Sequence, residues 1–270
     1  MCAIIEREYG RVAFGTDPAA YHEARPEYPA KIYEILKNRC GLAPGSRTFE
    51  VGPGTGLAST KLLELGASPL VLIEPDKRLA KFLKTRLLPA AGRLQIENAS
   101  FEDVQLNSRS FDLGIAASSF HWMNERPMLR NAARLLRSGG WWAMWWHVFR
   151  DLSRPSEFQR ATHQLLSRLD RGPSWAAEGQ VPFALSTEER TAALRAVKGF
   201  QRIAVATVRG SMVFNTVRLI NLYASFSPIR RLRPAERNRI LEGLRHITEK
   251  DFQGAVKIPI ITQMYIAQRR

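Results

Sequence analysis

Cysteine is nearly absent from this chain: Cys2 and Cys40 are the only two in 270 residues. That is too few for a disulfide framework or a four-cysteine zinc site, and it suits a reducing compartment. No apolar run approaches the roughly 18 residues of a membrane span. Glu6, Arg7 and Glu8 stand where a secretory signal needs an apolar stretch, so a cytoplasmic protein is expected. No His/Cys/Asp cluster has metal-ligand spacing and no G-x-S-x-G elbow occurs, which leaves metal-assisted hydrolysis and acyl-serine chemistry without support. Internal repeats and low-complexity tracts are missing too. Acid is scarce beside base: 25 Asp and Glu face 40 Lys and Arg, a net charge of +15. The excess is densest in SPIRRLRPAERNR, Ser227 to Arg239. An acidic substrate, an anionic membrane surface, nucleic acid or solubility alone would each account for it. Aromatics that could stack bases do not interleave there, so nucleic acid is not the expected partner.

What is present is the composition of a packed protein, 45% hydrophobic and 24% charged. Prolines 18, 26, 29 and 44 break the first 45 residues into short helices and turns. From Arg47 onward, strands and helices alternate. Thr48–Val51 reads as a strand, Leu57 to Leu65 as a helix stopped by Gly66, and Pro69 to Glu74 as a strand covered on both faces. Pro75-Asp76 opens a helix through Leu87, and Leu94 to Asn98 and Phe111 to Ala116 are further strands. Pro127 begins a helix that Gly139-Gly140 is expected to end. Trp141 to Val148 is a fifth strand, with Trp141 and Trp145 on one face and Trp142 and Trp146 on the other. Residues 151–195 look helical, 200–209 like a strand, 216–250 helical, and Lys257 to Ala267 a strand. Such alternation predicts a parallel sheet with helices on both sides.

FEVGPGTG carries the most information. A strand running into three glycines and then a helix lets backbone N–H groups approach a ligand. A dinucleotide fingerprint has glycines at the first, third and sixth places, but here Gly52, Gly54 and Gly56 occupy the first, third and fifth, and Leu57 the sixth. Glu50 would repel a diphosphate and suits an ammonium group. Glu74, ending the second strand, can accept from a ribose diol in either class of cofactor. A nicotinamide oxidoreductase is therefore the weaker reading.

These residues resemble a family. E-x-G-x-G-x-G, an acid ending strand two and FDLGIAASSFHW are similar to the class I S-adenosylmethionine-dependent methyltransferases, in the small-molecule branch of the trans-aconitate and ubiquinone-type enzymes. YHEARPEYP (Tyr21 to Pro29), Ser100-Phe101-Glu102-Asp103 and RLLRSGGWWAMWW extend the likeness over about residues 1–150, with only the final strand matching later. The resemblance implies an α/β fold: a Rossmann-like, seven-stranded doubly wound sheet with its last strand antiparallel, plus a helical cap. A single domain is expected, with its core near 45–150, 196–210 and 254–270 and its cap from 1–44, 151–195 and 211–253. It implies S-adenosyl-L-methionine as cofactor and S-adenosyl-L-homocysteine as product. Gly52, Gly54 and Gly56 would lie along the methionine part and Glu50 near its amino group. Glu74 would hold the ribose, while Phe101 by backbone and ring and Ser100 by its hydroxyl would border the adenine; the family more often has Asp at Ser100. Ala117 and Ser118 would line the sulfonium, and Tyr21 and Arg25 would close over the cofactor.

Methyl transfer is an in-line displacement, so alignment comes first and a base serves only a nucleophile that carries a proton. His121, at the ligand-facing edge, is the candidate base or substrate hydrogen-bonding group, or else a pin for its loop. Trp146, His147 and Tyr223 are the other candidate substrate contacts, each with an ordinary packing role as the alternative. His22 reads as a solvated helix residue, Trp122 as a packing wall, and Arg25 as a lid or a partner of Glu23 or Glu27. The expected acceptor is a small molecule, and the basic excess suits an anionic one. An RNA methyltransferase and a cofactor-binding module that has lost transfer remain the alternatives.

Overall fold

The computed structural model describes residues 6–151, 153–170 and 180–270. Cys2 and part of the expected 151–195 helical stretch lie outside them. Three short helices come first, α1 (Arg7–Val12), α2 (Pro18–Ala24) and α3 (Ala30–Cys40). The alternating part follows: β1 (Thr48–Val51), α4 (Leu57–Glu64), β2 (Leu70–Ile73), α5 (Lys77–Arg86), β3 (Leu94–Glu97), β4 (Phe111–Ala117), α6 (Glu125–Leu135) and β5 (Leu136–Val148). Then come α7 (Glu157–Leu166), α8 (Thr187–Arg195), β6 (Phe200–Asn215), α9 (Thr216–Ala224), α10 (Ser227–Arg230), α11 (Pro234–Phe252) and β7 (Ala255–Arg269).

The seven strands form one sheet in the order β3-β2-β1-β4-β5-β7-β6. β1 to β5 run parallel, and β7 is antiparallel to both of its neighbours. The order reverses between β1 and β4, and a crevice opens there at the carboxyl ends of the strands. β1, β2 and most of β4 are buried because both faces are covered, whereas β3 at the edge is only partly buried. Phe49, Val51, Trp142 and Trp146 pack into one core cluster with Leu129 of α6 and Leu194 of α8. Leu70, Leu72 and Trp145 pack into the other with Leu36 of α3 and Leu62 of α4. The tryptophans of β5 thus divide between faces as their alternation predicts. Gly114 sits where a Cβ would lie 2.3 Å from the Phe49 ring, so close ring packing across β1 and β4 depends on glycine.

Two boundaries differ from expectation. Helix α6 ends at Leu135, not at Gly139-Gly140. The N–H groups of Arg109 and Ser110 donate to the Arg134 and Leu135 carbonyls, and Leu136 already pairs with Phe111, so the ladder captures the chain before the glycines. Strand β6 continues past 209 to Asn215, because β7 offers a partner for that whole length. Residues 211–215 therefore belong to the sheet rather than to the cap. Helices α9 to α11 connect β6 to β7, and with α7 they bury a third cluster around Phe158, Phe214, Leu222 and Leu244.

Candidate active site

A cavity of about 1080 Å³ opens over the carboxyl ends of β1, β2, β4 and β5. Its first wall is the turn after β1. Gly52, Gly54 and Gly56 all have positive φ, at 62°, 59° and 81°. A Cβ on Gly52 would lie 2.7 Å from the Ser119 Cβ, whereas one on Gly54 would meet nothing within 4 Å. Gly52 is fixed by packing; Gly54 faces open space.

Two acids border this turn, and both are buried. Glu50 accepts from Ser59 Oγ at 2.6 Å through Oε2, while its Oε1 has no hydrogen-bond partner. Burial pushes its carboxyl up to about 7. Glu74 accepts from the Gly54 N–H through one oxygen and the Asp76 N–H through the other, both at 3.0 Å. Burial again dominates and raises it to about 7. Ser100, Ala117 and Ser118 also line the cavity. The Ser100 hydroxyl donates to Asp103 at 2.6 Å, so its proton is committed there. The Phe101 ring turns into the core and stacks on Phe49 at 6.0 Å. The residue nonetheless lines the cavity.

The N-terminal segment is strapped over the turn at several points. Arg78 donates to the Val12 carbonyl at 2.6 Å, and His22 Nδ1 lies 3.1 Å from Thr55 Oγ1. His22 is accordingly half-buried against the glycine turn and not simply solvated. Arg25 pairs with neither Glu23 nor Glu27. It donates to Ser225 Oγ at 2.8 Å and to the Ser225 carbonyl at 3.1 Å. Its guanidinium sits 5.0 Å from the Tyr21 ring centre and 4.8 Å from that of Phe226. Tyr21 and Arg25 thus join the first helices to the end of α9, and both line the cavity.

The histidines differ from one another. His121 is buried, and its Nδ1 accepts from the indole N–H of Trp146 at 2.8 Å. A neutral imidazole accepting at Nδ1 carries its proton on Nε2, so this ring is a donor on its other side. Burial, reinforced by the Arg25 charge, lowers it to about 3. His147 uses both nitrogens: Nε2 lies 3.2 Å from the Glu27 carbonyl and Nδ1 2.8 Å from Thr262 Oγ1. Burial lowers it to about 4. It pins the chain between β5, β7 and the segment after α2, which leaves neither nitrogen for a ligand. Trp122 is a packing wall, close against Gly10 and 6.0 Å from the Phe14 ring. Tyr223 is buried among Phe158 and Phe226 and still borders the cavity.

Known proteins resemble both the sequence and this arrangement. Residues 49–144 match a family model described as a methyltransferase domain. That segment holds the glycine turn, both acids, Ser118 and His121. Over that segment the chain is similar to methyltransferases that use S-adenosylmethionine. An uncharacterized methyltransferase of Schizosaccharomyces pombe is 26% identical over 260 residues, 95% of this chain and 96% of that protein. A "probable S-adenosylmethionine-dependent methyltransferase" of Saccharomyces cerevisiae is 27% identical over 49% of this chain and 46% of its own. Apart from the fission-yeast protein, the curated relatives are matched over about half their length, 46–53%. Among solved structures, a phosphoethanolamine N-methyltransferase of Haemonchus contortus superposes with a TM-score of 0.58 at 12% identity. The match covers 94% of this chain and 57% of that one.

The residues of the cavity fit S-adenosylmethionine in two respects. The orphan Oε1 of Glu50 is a buried acceptor without a donor, and the clear face of Gly54 admits a ligand against the backbone. Several cavity residues went unnoticed in the sequence. Tyr28, whose hydroxyl donates to Ser118 Oγ at 2.9 Å, lies in the YHEARPEYP motif and could have been found there. Thr55 sits inside the glycine motif. Phe149, Arg150 and Phe226 belong to no pattern and are placed by folding alone, as is Ser59, which lies outside the lining and holds Glu50.

Proposed function

We propose that this domain transfers a methyl group to a small anionic acceptor. The observation that carries the reading is a single cavity running from the glycine turn to a lobe walled by Phe149, Tyr223 and Phe226, with Arg25 and Arg150 on its lining. At about 1080 Å³ it exceeds the roughly 300–1,000 Å³ of an ordinary ligand pocket, which suits a cofactor and an acceptor together. The cofactor supplies a methyl group on positively charged sulfur. In this reading Gly52 and Gly54 present backbone to its amino-acid part, Gly56, which does not line the cavity, shapes the turn against Leu83, and the Glu50 carboxylate accepts from the amino group. Glu74 takes the ribose hydroxyls, and Ala117 with Ser118 borders the sulfonium. Ser100 and the Phe101 backbone wall the adenine, and Tyr21 and Arg25 exclude water.

The same geometry favours an acceptor that arrives ionised. The Nδ1 lone pair of His121 is held by Trp146, the nitrogens of His147 are both engaged, and Tyr28 donates to Ser118. None is placed to take a proton. The Nε2–H of His121 instead suits a hydrogen bond to an oxyanion such as a carboxylate, with Arg25 and Arg150 on the same lining. Alignment then supplies the catalysis.

Incubating a metabolite extract with the protein and isotopically labelled methyl donor, followed by mass spectrometry, tests this. Label in a small acidic metabolite is expected; label only in macromolecules, or none, contradicts the reading. With that acceptor in hand, His121→Ala should lower turnover by about 10²-fold, the typical effect of removing one positioned donor. Affinity for S-adenosylhomocysteine should stay close to wild type. The pH profile of turnover should keep the same shape in both forms, since a neutral His121 that only donates adds no ionisation of its own. An equal fall in turnover and affinity would make His121 a purely structural residue.

A further inference from the structure

At the opposite end of the sheet, where β4 and β6 begin and β7 ends, a shallow groove of about 830 Å³ lies between α6 and the turn after α8. Its lining includes five cations, Arg109, Arg130, Arg134, Lys198 and Arg269, and no acid. The rest of the lining is small or apolar, with Ala133, Ala196 and Val197 among it.

Two of the cations are braced. Arg134 donates to the Leu106 carbonyl at 3.0 Å and to Asn131 Oδ1 at 2.9 and 3.0 Å. Arg269 donates to the carbonyls of Ala133, at 3.0 Å, and Gly199, at 3.2 Å. A Cβ on Gly199 would lie 2.9 Å from the Arg269 guanidinium, so glycine makes room for it. The side chains of the other three, Arg109, Arg130 and Lys198, have no hydrogen-bond or ion-pair partner among the described residues. Some exposed arginines elsewhere find acids, as Arg137 does in Asp112 and Arg209 in Asp151. Five like charges gathered without a counter-charge repel one another, and a multivalent anion relieves that repulsion. Guanidinium forks match phosphate oxygens in geometry as well as in sign.

We propose that this groove binds a compact polyanion through its phosphate groups, either an inorganic polyphosphate or the phosphate end of a nucleotide. A long nucleic acid fits less well, since no aromatic side chain lines the groove to stack a base. The site lies across the sheet from the cofactor cavity and does not depend on the methyl-transfer reading.

Calorimetric titration with inorganic triphosphate and with adenosine triphosphate, each with and without S-adenosylhomocysteine, tests the assignment. One site per chain is expected, unaffected by the cofactor product. Arg130→Ser with Lys198→Ser should weaken it at least tenfold. Both substituted residues are exposed, so the double variant should fold, with a melting temperature no lower than wild type and unchanged affinity for S-adenosylhomocysteine. Tighter binding of the nucleotide assigns the source to nucleotides, and tighter binding of triphosphate to inorganic phosphate; both uphold the site. Absence of binding, affinity equal in wild type and variant, or competition by S-adenosylhomocysteine would overturn it. So would single-stranded RNA binding more tightly than either probe and losing affinity in the same variant. Failure of S-adenosylhomocysteine to bind at all would count against the cofactor reading and leave the groove standing.

Discussion

Gly54→Arg is expected to reduce S-adenosylhomocysteine binding at least a hundredfold, to below calorimetric detection, in a protein that remains folded. Gly54 has φ 59°, and its missing Cβ points into open space. A side chain there meets no protein atom at its root, so the native cost is mainly the left-handed backbone, roughly 1–2 kcal/mol for a non-glycine residue. The long arginine side chain would instead occupy the cavity along the turn. Gly52→Ala makes the contrast. Its φ is equally positive, but its Cβ would be driven to 2.7 Å from Ser119, so stability should fall more than for Gly54→Arg although the substituent is far smaller. Circular dichroism melts beside calorimetry separate the two effects. Normal affinity in folded Gly54→Arg would remove the turn from the ligand site.

Glu50→Gln should exchange binding for stability. Folding lifts the Glu50 carboxyl from 4.5 to about 7, chiefly by burial. A carboxyl raised in the folded state binds its proton more tightly there than in the unfolded chain. Its contribution is fully present below about 4.5 and is lost as pH climbs through about 7. At pH 8 the folded protein must hold a charge whose Oε1 has no donor. A shift of that size corresponds to roughly 3 kcal/mol. Glutamine keeps the shape without the charge, so the variant should be about 1–3 kcal/mol more stable than wild type at pH 8 and nearly equal at pH 5. His121 and His147 act with the opposite sign. Folding lowers both below 6.5, so their contribution drains as pH falls from 6.5 toward 3 to 4. Subtracting variant from wild-type melting curves removes them and isolates Glu50. Affinity for S-adenosylhomocysteine should drop about ten- to a hundredfold, because an uncharged amide cannot pair with an ammonium. A variant with wild-type affinity, or no gain in stability at pH 8, would refute the role given to this carboxylate.

The sheet was legible because its signals are local. Short apolar strands meet glycine, proline or an acid at their ends, and β1 to β4 fall within two residues of where those signals place them. The boundary between α6 and β5 was not, since the pairing of Leu136 with Phe111 and the capping of α6 by Arg109 and Ser110 are contacts between segments distant in sequence. The long β6 likewise reflects a partner, β7, that no local pattern discloses. In the site, the glycines, Glu50 and Glu74 share one contiguous motif region. The hydrogen-bonding state of His121 depends on Trp146, 25 residues on, and the anchoring of Arg25 on Ser225, 200 residues on. Side-chain identity alone cannot say which nitrogen carries a proton or which ring faces the core, as Phe101 illustrates.

A crystal structure of the protein soaked with S-adenosylhomocysteine tests the central claim most directly. The nucleoside should lie along the turn from Gly52 to Gly56, with its amino group on Glu50 and its ribose hydroxyls on Glu74. A turn left empty by S-adenosylhomocysteine and filled by NADH under the same conditions would contradict the account.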